Sequence, residues 1–155
     1  MIRAVTTVGT QPILLKHWIK HYKSLGVDDL CPVIWGQSDK VLYNEIMAVL
    51  ENENVKPFKN LIDVGNTDSY YLTQIYNDTL KENPNDWWIV ADLDEFLVLP
   101  KNIKDVVLEL EEQKLDYAYS LMLDRIGENG EFSELNYDDD IWKTYPNVGF
   151  VNRYI

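Results

Sequence analysis

Short β-branched runs alternate with amphipathic helical stretches along this chain, and that alternation narrows its fold more than any other feature. "IRAVTTV" (residues 2–8) has the length and composition of a buried strand. Gly9, Thr10 and Gln11 break it, and Pro12 suits the first turn of a helix, where its missing N–H costs nothing. Leu14, Trp18, Tyr22 and Leu25 follow at helical spacing until Gly26 stops the helix. "DLCPVIWG" (29–36) reads as a second strand, with Pro32 arguing for an edge position or a bulge. Ser38 is the expected N-cap of a helix bearing Val41, Leu42, Ile46, Val49 and Leu50. "VKPFKNLIDV" (55–64) is a third strand, and Asp68 or Ser69 caps a helix whose apolar face is Leu72, Ile75, Tyr76, Thr79 and Leu80. "WWIVADLDEFLVL" (87–99) is the strongest strand region, followed by an Asn102-capped helix with Ile103, Val106, Val107 and Leu110 on one face. "DYAYSLMLDRI" (116–126) is a further strand and "GENGEF" (127–132) a hairpin-like turn. Strands joined by helices require right-handed crossovers. The expected fold is therefore α/β, a three-layer αβα sandwich around a mostly parallel twisted sheet. Ligands of such sheets bind beyond the carboxyl ends of the strands, where strand order reverses.

With 155 residues and no repeat or linker, the chain is expected to form one domain, residues 1–155, with a sizeable core. "MIRAVTTV" reads as a strand rather than a leader, and no apolar run approaches the roughly 20 residues of a membrane span. "NVGFVNRYI" (147–155) ends on apolar and aromatic residues, so the domain is expected to be truncated at its C-terminus. Cys31 is the single cysteine, which excludes an intrachain disulfide and fits a reducing, cytoplasmic compartment. The net charge is −12, from 26 acidic and 14 basic residues. That balance argues against nucleic acid and anionic membranes as partners, and a phosphorylated substrate would be repelled unless a cation intervened.

Three acids interrupt the most apolar run. Asp92, Asp94 and Glu95 stand between "WWIVA" and "FLVL". An unpaired buried carboxylate costs several kcal/mol, so acids in such a setting need a reason. In extended backbone Asp92 and Asp94 project to one side and Leu93 to the other. The pair could then share one hard divalent cation, and oxygen ligands favour Mg²⁺, Mn²⁺ or Ca²⁺ over zinc. The same residues also suit a strand that ends in a surface turn, with its acids paired to nearby Lys or Arg. A second Asp-x-Asp, Asp138 and Asp140 in "NYDDDIW", has no apolar flanks and reads as a solvated loop. His17 and His21 lie four apart on a helix but lack a third ligand at useful spacing, and read as structural.

The ordered series of motifs resembles the GT-A fold glycosyltransferases that use nucleotide sugars. More narrowly, it is similar to the family-2-like and family-92-like branch with an Asp-x-Asp-Glu-Phe motif. "DLDEF" (92–96) carries that likeness. "LKHWIKHYKSLGVDDL" resembles the branch's Trp-Ile-x-x-His-x-x-x-Gly-Val-Asp segment through Trp18, His21, Gly26, Val27 and Asp28. "GQSDK" resembles its Ser-Asp turn, and the helix before the motif supplies Gln74 and Asn77. "LDRIGENGEF" resembles its Asp-Arg-(Ile/Val)…Gly segment, and "WKTYPN" the Phe-Pro step beyond. The likeness spans nearly the whole chain. It implies a Rossmann-like GT-A sandwich that continues past Ile155 with an acceptor site, a late His and often the catalytic base.

The resemblance implies transfer of a sugar from a nucleotide-sugar donor, such as a UDP-sugar, to a glycan or other hydroxyl acceptor. Asp92 and Asp94 would hold Mn²⁺ or Mg²⁺, and Asp92 would also meet the donor. Glu95 would orient the metal shell or serve the structure. Inversion by direct displacement needs a carboxylate base; Asp124 and Asp138 to Asp140 are the candidates within the chain. The loop Thr7-Val8-Gly9-Thr10 would cradle the nucleotide, and Gln74 and Asn77 would reach phosphates or ribose. Many GT-A enzymes end the second strand with an Asp that binds base or ribose. Here Trp35 and Gly36 stand there, with Asp39 later, so Trp35 is expected to stack on the base and Asp39 to assist. Two alternatives stay open: a nucleotidyltransferase, disfavoured by the lack of a Gly-rich basic loop after the first strand, and a non-catalytic carbohydrate- or nucleotide-binding domain with a relict fold.

Overall fold

The computed structural model describes residues 1–36, 39–61 and 69–149. The chain forms two compact units, Met1–Asp116 and Tyr117–Ile155. The first is a four-stranded parallel sheet flanked by helices, in strand order β3-β2-β1-β4. Its strands are β1 (Ile2–Val8), β2 (Asp29–Trp35), β3 (Lys59–Leu61) and β4 (Trp87–Val90), and its helices are α1 (Pro12–Leu25), α2 (Lys40–Asn52), α3 (Ser69–Leu80) and α4 (Ile103–Glu112).

The β1 strand is central because it is apolar on both faces: Ile2, Ala4, Val5 and Val8 are all buried. Val5 joins Cys31, Val33 and Trp35 of β2 in a cluster closed by Ile75, Leu72 and Tyr76 of α3. Ala4, Val8, Leu30 and Ile34 alternate with these and point to the other face. There α1 packs on β1, β2 and α2 and buries Leu15, Trp18, Ile19 and Tyr22. At the start of the sheet the Arg3 guanidinium bonds Asp86 (2.7 Å) and Asp29 and lies over the Trp88 ring. Those pairs tie β2 and the turn before β4 to β1. Cys31 sits beneath them, its thiol pushed up to about 12, chiefly by burial.

Several expectations change. Pro32 lies on the internal strand β2, not at an edge. Its carbonyl accepts from Phe58 N–H (2.8 Å), so its missing donor also faces β3, at a level where pairing has not yet begun at Lys59. The α2 cap is Asp39, whose carboxylate accepts from the Val41 and Leu42 amides; Ser38 lies outside the described residues. Among the described residues the third strand is Lys59–Leu61; residues 62–64 of the expected strand and Asp68 of the expected cap also lie outside them. The Pro12 start, the Gly26 stop and the Asn102 cap stand as expected. Gly26 has φ 86° in a Schellman turn, with Gly26 N–H on Lys23 O and Val27 N–H on Tyr22 O. Asp28 follows and accepts from Ile2 N–H (2.8 Å), which sets β1 against the start of β2. The "GVD" stretch is thus a device for ending a helix and aligning two strands.

In the second unit, β5 (Asp124–Ile126) pairs antiparallel with β6 (Asn147–Gly149), after the short helix α5 (Ile141–Thr144). The strand expected over 116–126 forms only at its end, and Tyr117, Tyr119, Leu121 and Met122 are exposed. The turn expected at 127–132 is present: Gly127 N–H bonds Glu131 O (2.9 Å). A Cβ on Gly127 would collide with that same carbonyl oxygen. Arg125 lies over the Trp142 ring and donates to the carbonyls of Tyr145 (2.8 Å), Pro146 (3.4 Å) and Trp142 (3.5 Å). No helix among the described residues is long and apolar enough to cross a membrane.

Candidate functional site

Strand order reverses between β1 and β4. The chain steps outward from β1 to β2 to β3, then returns through α3 to add β4 on the other side of β1. The carboxyl ends of β1 and β4 therefore flank the switch point, the usual ligand position of such a sheet. Thr7 and Val8 end β1 and Gly9 and Thr10 follow; Asp92 and Asp94 follow β4.

The acids do not sit in an extended strand. The β4 strand ends at Val90, and the last rung is Ala91 N–H to Val5 O at 3.2 Å. Glu95 N–H then bonds Asp92 O (3.0 Å), and the Glu95 carboxylate accepts from Asp92 N–H (3.0 Å). This reciprocal pair folds the chain after Ala91 into a tight turn with Leu93 and Asp94 at its corners. The strict alternation expected of residues 92–94 is absent for that reason. Asp92 and Asp94 are exposed, so neither requires a buried counter-charge. Glu95 closes the turn.

Both sides of the turn are anchored. Behind it, the fully buried Tyr22 donates its hydroxyl to Glu95 O (3.1 Å) and accepts from Leu97 N–H (3.3 Å). His21 bonds Leu97 O through Nε2 (2.8 Å), which makes Nε2 the protonated nitrogen, and packs edge-on against Phe96. Burial pushes the His21 pKa down and the Tyr22 pKa up to about 12. His21 thus serves the backbone after the acids. His17 is buried in α1. In front of the turn, the Tyr76 hydroxyl lies 2.7 Å from Asp92 Oδ1 and 3.3 Å from Thr7 Oγ1. Its pKa is raised, chiefly by burial.

Of the other expected site residues, Thr7 joins this group through the Tyr76 hydroxyl. Gly9 lies close over Trp35, whose carbonyl oxygen would be 3.2 Å from a Cβ there. The Trp35 ring is only 6% exposed, within the α3-side cluster and beside Tyr71, so its faces are covered by protein and not presented to a base. Thr10 is exposed at the end of the same loop. Asp39 spends one carboxylate oxygen on the α2 cap. Gln74 and Asn77 are exposed on α3, whereas Ile75 and Thr79 are buried. Tyr76, between them in sequence, is the α3 residue that reaches the acids. The sequence signal for it was a tyrosine on an otherwise apolar face, since a buried ring still needs a partner for its hydroxyl.

Asp124 opens β5 in the second unit, half-buried and opposite Gly149 in register. Asp138 is exposed in the turn Asn136–Asp139. That turn closes like the first: Asp139 N–H bonds Asn136 O (3.3 Å), and the Asp139 carboxylate accepts from Asn136 N–H (2.7 Å). Asp140 caps α5 through Trp142 N–H (3.0 Å). In the second Asp-x-Asp, Asp140 is thus a helix cap, and Asp138 stands in a turn that its neighbour Asp139 closes.

No group of three or more His, Cys, Asp or Glu side chains with the arrangement of a metal centre occurs among the described residues. A cation at the first turn would take at most two protein carboxylates there and fill its shell with water and ligand oxygens, the habit of Mg²⁺ in phosphate sites. The donor set is all hard oxygen, exposed and held in place, and it fits such an ion. Compared with models of known families, with curated proteins and with solved structures, the chain matches none.

Proposed function

We propose that this chain is a metal-dependent glycosyltransferase domain of GT-A type, transferring a sugar from a nucleoside-diphosphate sugar to a hydroxyl acceptor with inversion. The observation that carries the reading is the place of the Asp92–Glu95 turn. It follows the carboxyl end of β4, where strand order reverses, and presents two exposed carboxylates there. Asp92 and Asp94 hold Mn²⁺ or Mg²⁺, with Asp94 at the corner of the turn the more direct ligand. Bound there, the ion supplies the Lewis acid for a departing diphosphate. The protein's own residues do the rest. Glu95, Tyr22 and His21 hold the turn rigid, so its carboxylates need little reorganisation when the donor arrives. The backbone of Thr7, Val8, Gly9 and Thr10 lines the β1 side of the switch point toward the nucleotide. A cation also offsets repulsion between an anionic donor and a chain of net charge −12.

A hydrolysis screen of nucleotide sugars with Mn²⁺ tests this reading. Release of nucleoside diphosphate from one donor is expected, abolished by EDTA and by Asp94→Ala. Turnover of a nucleoside triphosphate instead would favour nucleotidyl transfer. Donor turnover that ignores both EDTA and Asp94→Ala would contradict the site.

A further inference from the structure

The Tyr76 ring belongs to the core, but its hydroxyl does not. The ring packs with Ile75 against Val5, Cys31, Val33 and Trp35, a place phenylalanine would fill equally well. The hydroxyl touches Asp92 Oδ1 at 2.7 Å and Thr7 Oγ1 at 3.3 Å. Proton counting orders this chain. An ionised carboxylate can only accept, so Tyr76 spends its single proton on Asp92 and must accept from the Thr7 hydroxyl. Donation therefore runs Thr7 to Tyr76 to Asp92, and each bond polarises the next.

The Asp92 carboxylate is not needed to build its own turn. The turn closes through the backbone N–H and C=O of Asp92 and the side chain of Glu95. The turn at Asn136–Asp139 shares that backbone bond and amide capture, but there the Asn136 side chain also donates to Asp139 (3.1 Å), a bond that the Asp92 carboxylate cannot make to Glu95. What Tyr76 holds is thus a group that the local fold leaves for other use.

We propose that Tyr76 is a positioning residue for Asp92: by engaging Oδ1 it fixes the carboxylate's rotation and leaves Oδ2 as the oxygen that meets a divalent cation. This rests on the reading of Asp92 and Asp94 as a cation site. Partners of this kind, which orient a ligand without touching the metal, typically account for about 10–100-fold in metal affinity.

The test is Mn²⁺ titration of the wild-type chain and Tyr76→Phe, followed by electron paramagnetic resonance of free and bound ion, with melting curves of both proteins. The phenyl ring keeps the core filled, and titration below both melting temperatures reads only folded protein. A Kd raised about 10-fold or more in Tyr76→Phe supports the proposal. Equal affinity, with or without a lower melting temperature, overturns it and leaves Tyr76 a core residue. A wild-type chain that does not bind Mn²⁺ overturns the cation reading itself, and this proposal with it.

Discussion

The Tyr22 hydroxyl donates to the Glu95 carbonyl oxygen across 3.1 Å, and so fastens α1 to the turn that carries the acids. It also accepts from Leu97 N–H at 3.3 Å, so one buried oxygen satisfies two backbone groups of a segment outside any regular element. Replacing it with phenylalanine keeps the ring contacts with Trp18 and removes both bonds. Tyr22→Phe should therefore destabilise the protein by about 1–3 kcal/mol in urea unfolding. Hydrogen exchange at the Leu97 amide should speed up more than exchange across the β1–β2 ladder. Uniform acceleration across the sheet would contradict the pinning role.

His21 gives the fold a pH dependence of definite sign. Burial favours the neutral imidazole, so folded His21 titrates below its ordinary 6.5. As pH falls through that value the unfolded chain takes up a proton that the folded chain refuses, and stability drops. The contribution is fully present above about 6.5 and is lost toward the lower folded value. Asp28 and Asp86 are also shifted downward, Asp28 chiefly by the Ile2 amide and Asp86 chiefly by Arg3; each acts only below its ordinary 3.8, outside this window. Urea midpoints should fall from neutral pH to about pH 5 in the wild type. In His21→Gln, whose amide can still donate to Leu97 O, that slope should be shallower. An unchanged slope would mean that another group carries it.

Asp39 separates capping from ligand binding. Its carboxylate bonds the Val41 amide at 2.8 Å. Asp39→Ala should cost about 0.5–2 kcal/mol, and Asp39→Asn, an equally good cap, should recover most of it. Donor affinity of the folded protein should be unchanged in Asp39→Asn. A large loss of donor binding there, with full stability, would support the nucleotide role that the resemblance implied.

Much of the first unit was legible because its signals are local. Pro12 and Gly26 bracket α1, Asn102 caps α4, and the apolar spacing of α3 matches its buried Ile75 and Thr79. Strand lengths were less legible, since a strand lasts only while a neighbour pairs with it. The run from Trp87 reads as one long strand, yet it ends at Val90 because the Asp92–Glu95 bonds turn the chain away from β1. That turn depends on three-residue spacing of polar groups, which apolar flanks conceal. The place of Asp92 beyond a strand end could be argued from pattern alone. Tyr76, Tyr22 and His21 as its supports could not, because those contacts span 16 to 76 positions in sequence. Trp35 shows a related limit: nothing local in the sequence says that an indole at a strand end packs into the cluster with Ile75 and Tyr71.

The cation at Asp92 and Asp94 is the claim on which the functional reading depends most. Thermal unfolding of the chain with UDP, with Mn²⁺ and with both, alongside Asp94→Ala, tests it most directly. UDP should raise the melting temperature of the wild type only when Mn²⁺ is present, and Asp94→Ala should fold normally but lose that joint effect. Protection by UDP that is the same without Mn²⁺, or that survives in Asp94→Ala, would contradict it, as would a wild type that neither ligand nor their mixture protects.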